Sequence, residues 1–161
     1  MMRHTFKICS AVILVAVFLA FATPPDNNAR AAGADLVVVT HPDTNTGPLS
    51  RSDLYDIFTS QRKRWGDGAP VIAFNQRSTT DARSVFNRAV MQMSRDEVVQ
   101  FWIDQRIRHG TRAPRDSPSD AMLMRLASAR KGVIGYVAST TAGIDKLQVV
   151  ARISGDKVLS P

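Results

Sequence analysis

Four short runs rich in β-branched and other apolar residues set the strongest limit on what this chain can fold into. They are DLVVVTHP (35–42), PVIAFN (70–75), GVIGYVAS (132–139) and KLQVVARI (146–153). Each is too short for a buried helix, and each is bounded by proline, glycine or polar residues, so each reads as a buried strand. The segments between them carry helical signals instead. In LSRSDLYDIFTS (49–60), Ser50 and Asp53 form a capping box, and Leu54, Ile57 and Phe58 share a face. DARSVFNRAVMQM (81–93) repeats apolar residues at Val85, Phe86, Ala89 and Val90. SRDE (94–97) is a second capping box, opening a helix with Val98, Phe101, Trp102 and Gln105 on one face. SPSDAMLMRLASA (117–129) offers Ser117 as cap and Pro118 at the first helical position. The order β-α-β-α-α-α-β-β predicts one α/β domain over 35–153, a central sheet flanked by helices, followed by a tail at 154–161.

The N-terminus predicts export. Arg3, His4 and Lys7 precede an uncharged apolar run at 8–22, shorter than the roughly 20 residues that a spanning helix needs. Small residues follow, and residues 1–31 read as a signal peptide cleaved after Ala31 or Ala34. An uncleaved anchor is the alternative. Cleavage would leave a periplasmic protein with no stable membrane insertion. The chain's single cysteine, Cys9, lies in that segment, so the mature domain would stand without disulfides, held by its core. From Asp35 onward there are 18 Lys and Arg against 13 Asp and Glu, a formal charge of +5. That surplus suits an anionic ligand or partner, and it also occurs in exported proteins with neither.

Chemistry is sparse. His41 and His109 are the histidines beyond the signal segment, without cysteines or clustered carboxylates, so neither a metal nor a cofactor is expected. No G-x-S-x-G elbow occurs and nothing pairs a serine with a base, which argues against an enzyme. QRKR (61–64) beside Trp65 has the composition of a nucleic-acid patch, but one aromatic makes no stacking platform. It reads instead as a solvated turn with Trp65 folded onto the core.

One stretch stands out. In NQRSTTDAR (75–83), Arg77 precedes Ser78, Thr79 and Thr80, and Arg83 follows within the first helical turn. Thr80 is the expected cap. A cation at a helix start opposes the macrodipole, whereas an anion there is favoured. Two readings are open: Arg83 faces an oxyanion held over the helix start, or Asp81 satisfies it locally. A solvent-facing Arg83 could be removed without harm to the fold.

Taken in order and spacing, LSRSDLYDIFTSQRKRWGDGAPVIAFNQRSTTDARSVFNRAV, then FW, HGTRAP and KGVIGYV, resemble the phosphate ABC transporter substrate-binding protein-like family. The resemblance spans about Leu36 to Val150. It implies a type 2 periplasmic-binding fold, here as a single lobe. It also implies a ligand site at Arg77, Ser78, Thr79, Thr80 and Arg83. Thr80 would occupy the place of the family's ligand-binding serine and Arg77 that of the arginine before it, while Arg83 matches an arginine frequent in short relatives. Departures are Ser60 where the family has glycine, the absence of glycines in the turn, and Lys131 where proline precedes G-x-I-G-Y. The implied ligand is phosphate or a similar oxyanion, and the implied partner is a membrane transporter. A non-catalytic module contacting a membrane receptor is the alternative. The exported form should begin between Ala32 and Asp35, which N-terminal sequencing of the mature protein would check.

Overall fold

The computed structural model describes residues 35–161; the expected signal peptide and its cleavage sites lie outside them. Six strands form one mixed sheet in the order β3-β2-β4-β1-β5-β6. They are β1 (Leu36–Thr40), β2 (Ile72–Asn75), β3 (Arg115–Asp116), β4 (Val133–Ala138), β5 (Gln148–Ser154) and β6 (Lys157–Leu159). β1 runs antiparallel to both β4 and β5, while β2 is parallel to β3 and β4. The helices are α1 (Arg51–Phe58), α2 (Asp81–Phe86), α3 (Arg95–His109) and α4 (Asp120–Ala129). The two parallel pairings need long crossovers, and α2 with α3, then α4, supply them.

All of β1 is buried because helices cover both sheet faces. Side chains alternate along a strand, so Leu36 and Val38 enter one core while Val37 and Val39 enter another. The first core holds Leu54, Ile57 and Phe58 of α1 with Val85 and Phe86 of α2. At its centre Phe86 stacks on Tyr136 with ring centroids 3.9 Å apart, and Phe58 packs against Phe86 at 4.5 Å. The second core is built on Leu123, Met124 and Ala127 of α4. Trp65 is buried, and its indole N–H donates to the Gly132 carbonyl at 3.1 Å. Arg62 bonds Asp53, and Arg64 reaches the Gly68 carbonyl, so the basic turn has no exposed aromatic beside it.

Both capping boxes form as the sequence predicts. Their hydrogen bonds from Ser50 and Ser94 hold the Asp53 and Glu97 carboxyls below the ordinary range. Other expectations need correction. α4 starts at Asp120 with Ser119 as its cap, not at Ser117–Pro118. Ser117 is buried, and its N–H donates to the Asn75 carbonyl at 2.7 Å, so the chain is still bonded to the sheet there. The stretch 81–93 is α2 followed by a π-helical turn at Asn87–Met91, closed by Gln92 in the left-handed region. The expected tail contains β6, which folds back at Gly155 onto β5. Three residues are too few to show a period, and so are the two of β3. Trp65, expected on the core, is buried, as is Phe86, whereas Phe101 and Trp102 on the apolar face of α3 are only half-buried. α3 buries only Val98 of its fifteen residues.

Gly135 lies where α4 presses on β4. A Cβ there would meet Leu123 Cδ1 and Cδ2 at 2.6 Å, and Leu123 is fully buried with little room to yield. Gly135→Ala should therefore lower unfolding free energy by about 1–3 kcal/mol, read by urea denaturation.

Candidate functional site

The expected site residues lie just beyond the C-terminal end of β2. In open α/β sheets this edge is where ligands bind, because helix starts and loops gather there. Residues 77–80 turn the chain from β2 into α2, with the Thr80 N–H donating to the Arg77 carbonyl at 3.1 Å. The Thr80 hydroxyl donates to the same carbonyl at 2.9 Å and accepts from the Arg83 N–H at 3.2 Å, as the expected cap. Arg77, Ser78 and Thr79 are exposed. Among the described residues, the Ser78 and Thr79 hydroxyls and the Asp81 and Ala82 N–H groups have no hydrogen-bond partner. Four donors on neighbouring residues thus stand open at the positive end of a helix.

Arg83 does something different. It is 8% exposed and turned inward. Its Nε donates to Asn87 Oδ1 at 3.1 Å, and its Nη1 donates to the Gln76 carbonyl at 2.9 Å and to Asp116 Oδ1 at 3.3 Å. The Asn75 side chain, with its amide oxygen turned toward Arg83, accepts from Nη1 and Nη2 at 3.2 and 3.3 Å. A fork of fixed donors suits this set of acceptors. Asp81 is not among these partners, and the buried cation is balanced by Asp116 at the end of β3. The opposition to the helix dipole is thereby offset locally, and α2 is fastened to the ends of β2 and β3.

The network extends behind the turn. The buried Gln76 side chain donates to Asp120 of α4 and to the Tyr136 carbonyl at 2.9 Å. Asp120 Oδ2 accepts from Thr141 at 3.0 Å and from the Ala138 N–H at 3.3 Å. The Gln76 N–H donates to the Tyr136 hydroxyl at 3.2 Å, and burial pushes that phenol far above its ordinary ionisation range. Sequence reasoning missed Asn75, Gln76, Asn87, Asp116 and Asp120. They are scattered along the chain and meet only through the strand order β3-β2-β4. Among the described residues no group of three His, Cys, Asp or Glu is placed to hold a metal ion.

Solved structures share this fold. A protein from Clostridium perfringens assigned as a phosphate ABC transporter substrate-binding protein, solved with phosphate bound, matches at a TM-score of 0.58 and 18% identity, over 74% of this chain and 46% of that one. An ABC-type phosphate transport receptor from Vibrio cholerae matches at 0.56 and 14% identity, over 74% of this chain and 47% of that one. PstS from Borrelia burgdorferi matches at 0.55 and 16% identity, over 80% and 48%. No family model matches the sequence, and no curated protein sequence matches it. The chain therefore has the α/β fold of phosphate-transporter substrate-binding proteins, and it spans a little under half the length of each of these three. This agrees with the fold that the sequence resemblance implies.

With Arg83 buried among acceptors, Arg83→Ala would leave the Gln76 carbonyl, Asn75 and Asn87 unpaired. Each unsatisfied group costs about 1–3 kcal/mol, so the variant should be clearly destabilised in thermal and urea unfolding. Arg83→Lys should rescue little, because one ammonium cannot span the same acceptors.

Proposed function

We propose that this protein is a non-catalytic, periplasmic solute-binding protein. It holds phosphate or a related tetrahedral oxyanion weakly at the turn Arg77–Ser78–Thr79–Thr80, with Arg83 behind it. The observation that carries this reading is the set of unpartnered donors on Ser78, Thr79, Asp81 and Ala82 beside the exposed Arg77. An oxyanion presents several acceptors to such a set, and helix starts favour it through both hydrogen bonds and dipole. The solved structures of the same fold include one with phosphate bound. Arg83 contributes position and field rather than a direct contact, since its donors are spent on the protein. Thr80 is half spent, as cap. Among the described residues no helix is long and apolar enough to cross a membrane. A membrane transporter or receptor is the natural second surface to cover the turn.

Open to water on one side, the site gains little from each exposed charge, about 0–1 kcal/mol. Binding should fall in the high micromolar to millimolar range and weaken as salt rises. Calorimetry with phosphate and with sulfate at low ionic strength would check this. Arg77→Glu should remove the heat while leaving the melting temperature unchanged. Thr80→Ala should lose binding together with about 1 kcal/mol of stability, its cap being gone. No heat from wild-type protein would defeat the proposal.

A further inference from the structure

Beside the turn, a groove of about 420 Å³ opens between α3 and the segment 111–113. Its apolar surface comes from Val98, Val99, Trp102 and Ile103, and its polar border from Arg83, Arg95, Arg106 and Arg112. No carboxylate lines it. Val99 and Ile103 are 52% and 47% exposed, which is unusual for apolar residues on a helix that crosses between two strands. The indole N–H of Trp102 is buried, so the part of Trp102 reaching solvent is carbon.

The four arginines are not equal. Arg83 is committed to Asp116 and its neighbours, and Arg95 donates to the Ser84 hydroxyl at 3.2 Å. The side chains of Arg106 and Arg112 make no hydrogen bond or ion pair among the described residues, and both residues are exposed. An apolar trough therefore ends at two uncommitted cations. Its volume falls within the range of small-molecule sites, roughly 300–1,000 Å³.

We propose that this groove binds a soluble, single-chain anionic amphiphile. The alkyl or aryl part would lie over Trp102, Val99 and Ile103, and a phosphate or carboxylate head would pair with Arg106 and Arg112. Charge argues against a second copy seated there face to face, because arginine would meet arginine. Size favours one chain over a bilayer face, because a groove of about 420 Å³ bordered by arginines matches a single tail and head group. Ser78 also lines the groove, so it adjoins the proposed oxyanion turn without depending on it.

The test compares inorganic phosphate, octyl phosphate and octanoate by calorimetry at low salt, below the concentration at which micelles form, with anionic phospholipid vesicles as a fourth arm. Octyl phosphate should bind on the order of tenfold or more tighter than inorganic phosphate, because burial of the chain adds to the head-group contacts. Octanoate should bind as well. Ile103→Asp should erase the advantage of the octyl chain, and Arg106→Glu should weaken both amphiphiles, each variant melting as wild type does. Octyl phosphate binding no better than inorganic phosphate would overturn the groove proposal and leave the oxyanion reading intact. Amphiphile binding without any inorganic phosphate binding would support the groove and defeat the oxyanion reading. Capture by vesicles with no affinity for the free amphiphiles would also overturn the proposal.

Discussion

The buried guanidinium of Arg83 is the interaction on which the sheet edge carrying the proposed site depends. An isolated cation cannot be buried without partners. Here the partners come from three places in the chain: Gln76 and Asn75 at the end of β2, Asn87 one turn further along the helix, and Asp116 of β3. Satisfying one side chain thus fixes the end of β2, the start of α2 and the short edge strand relative to one another. The turn 77–80 is suspended between those fixed points. Its open donors are presented by a rigid frame, which lowers the ordering cost of any ligand that uses them.

Much of the fold was legible because its signals are local. Capping boxes at Ser50 and Ser94, the Thr80 cap, and the β-branched run of β1 each involve a few consecutive residues, and each appears where the spacing puts it. What was illegible depends on contacts between distant segments. The role of Arg83 could not be read, because Asp116 is 33 residues away and Gln76 contributes a backbone carbonyl from just past the end of β2. The partial exposure of Trp102 could not be read either. Trp102 lies on α3, a helix that buries only Val98, while Val99, Ile103 and Ile107 form an exposed apolar stripe at spacing four. Ser60 illustrates a subtler case. It replaces a glycine that the family resemblance expects, and its φ of 63° shows that the backbone still takes the glycine conformation. The fold tolerates the substitution at the expense of local strain.

The fold is that of phosphate-transporter substrate-binding proteins, and this chain spans under half the length of each of the three solved structures that share it. In the proposed account, one α/β sheet supplies one oxyanion turn and one adjoining apolar, arginine-bordered groove, with the opposite side left to another surface. In that proposal the turn would read a tetrahedral anion through hydrogen-bond geometry. The groove beside it would read whatever the anion carries.

The central claim is that the open donors of the 77–82 segment contact the ligand while Arg83 remains bound to the protein. An amide and arginine side-chain NMR titration with phosphate addresses it most directly. The account predicts saturable shifts of the Ser78, Thr79, Asp81 and Ala82 amide signals, with the Arg83 Nε–H signal unchanged and protected from exchange with water. Shifts centred elsewhere, or an Arg83 side chain released from Asn87 and Asp116 on ligand binding, would contradict it.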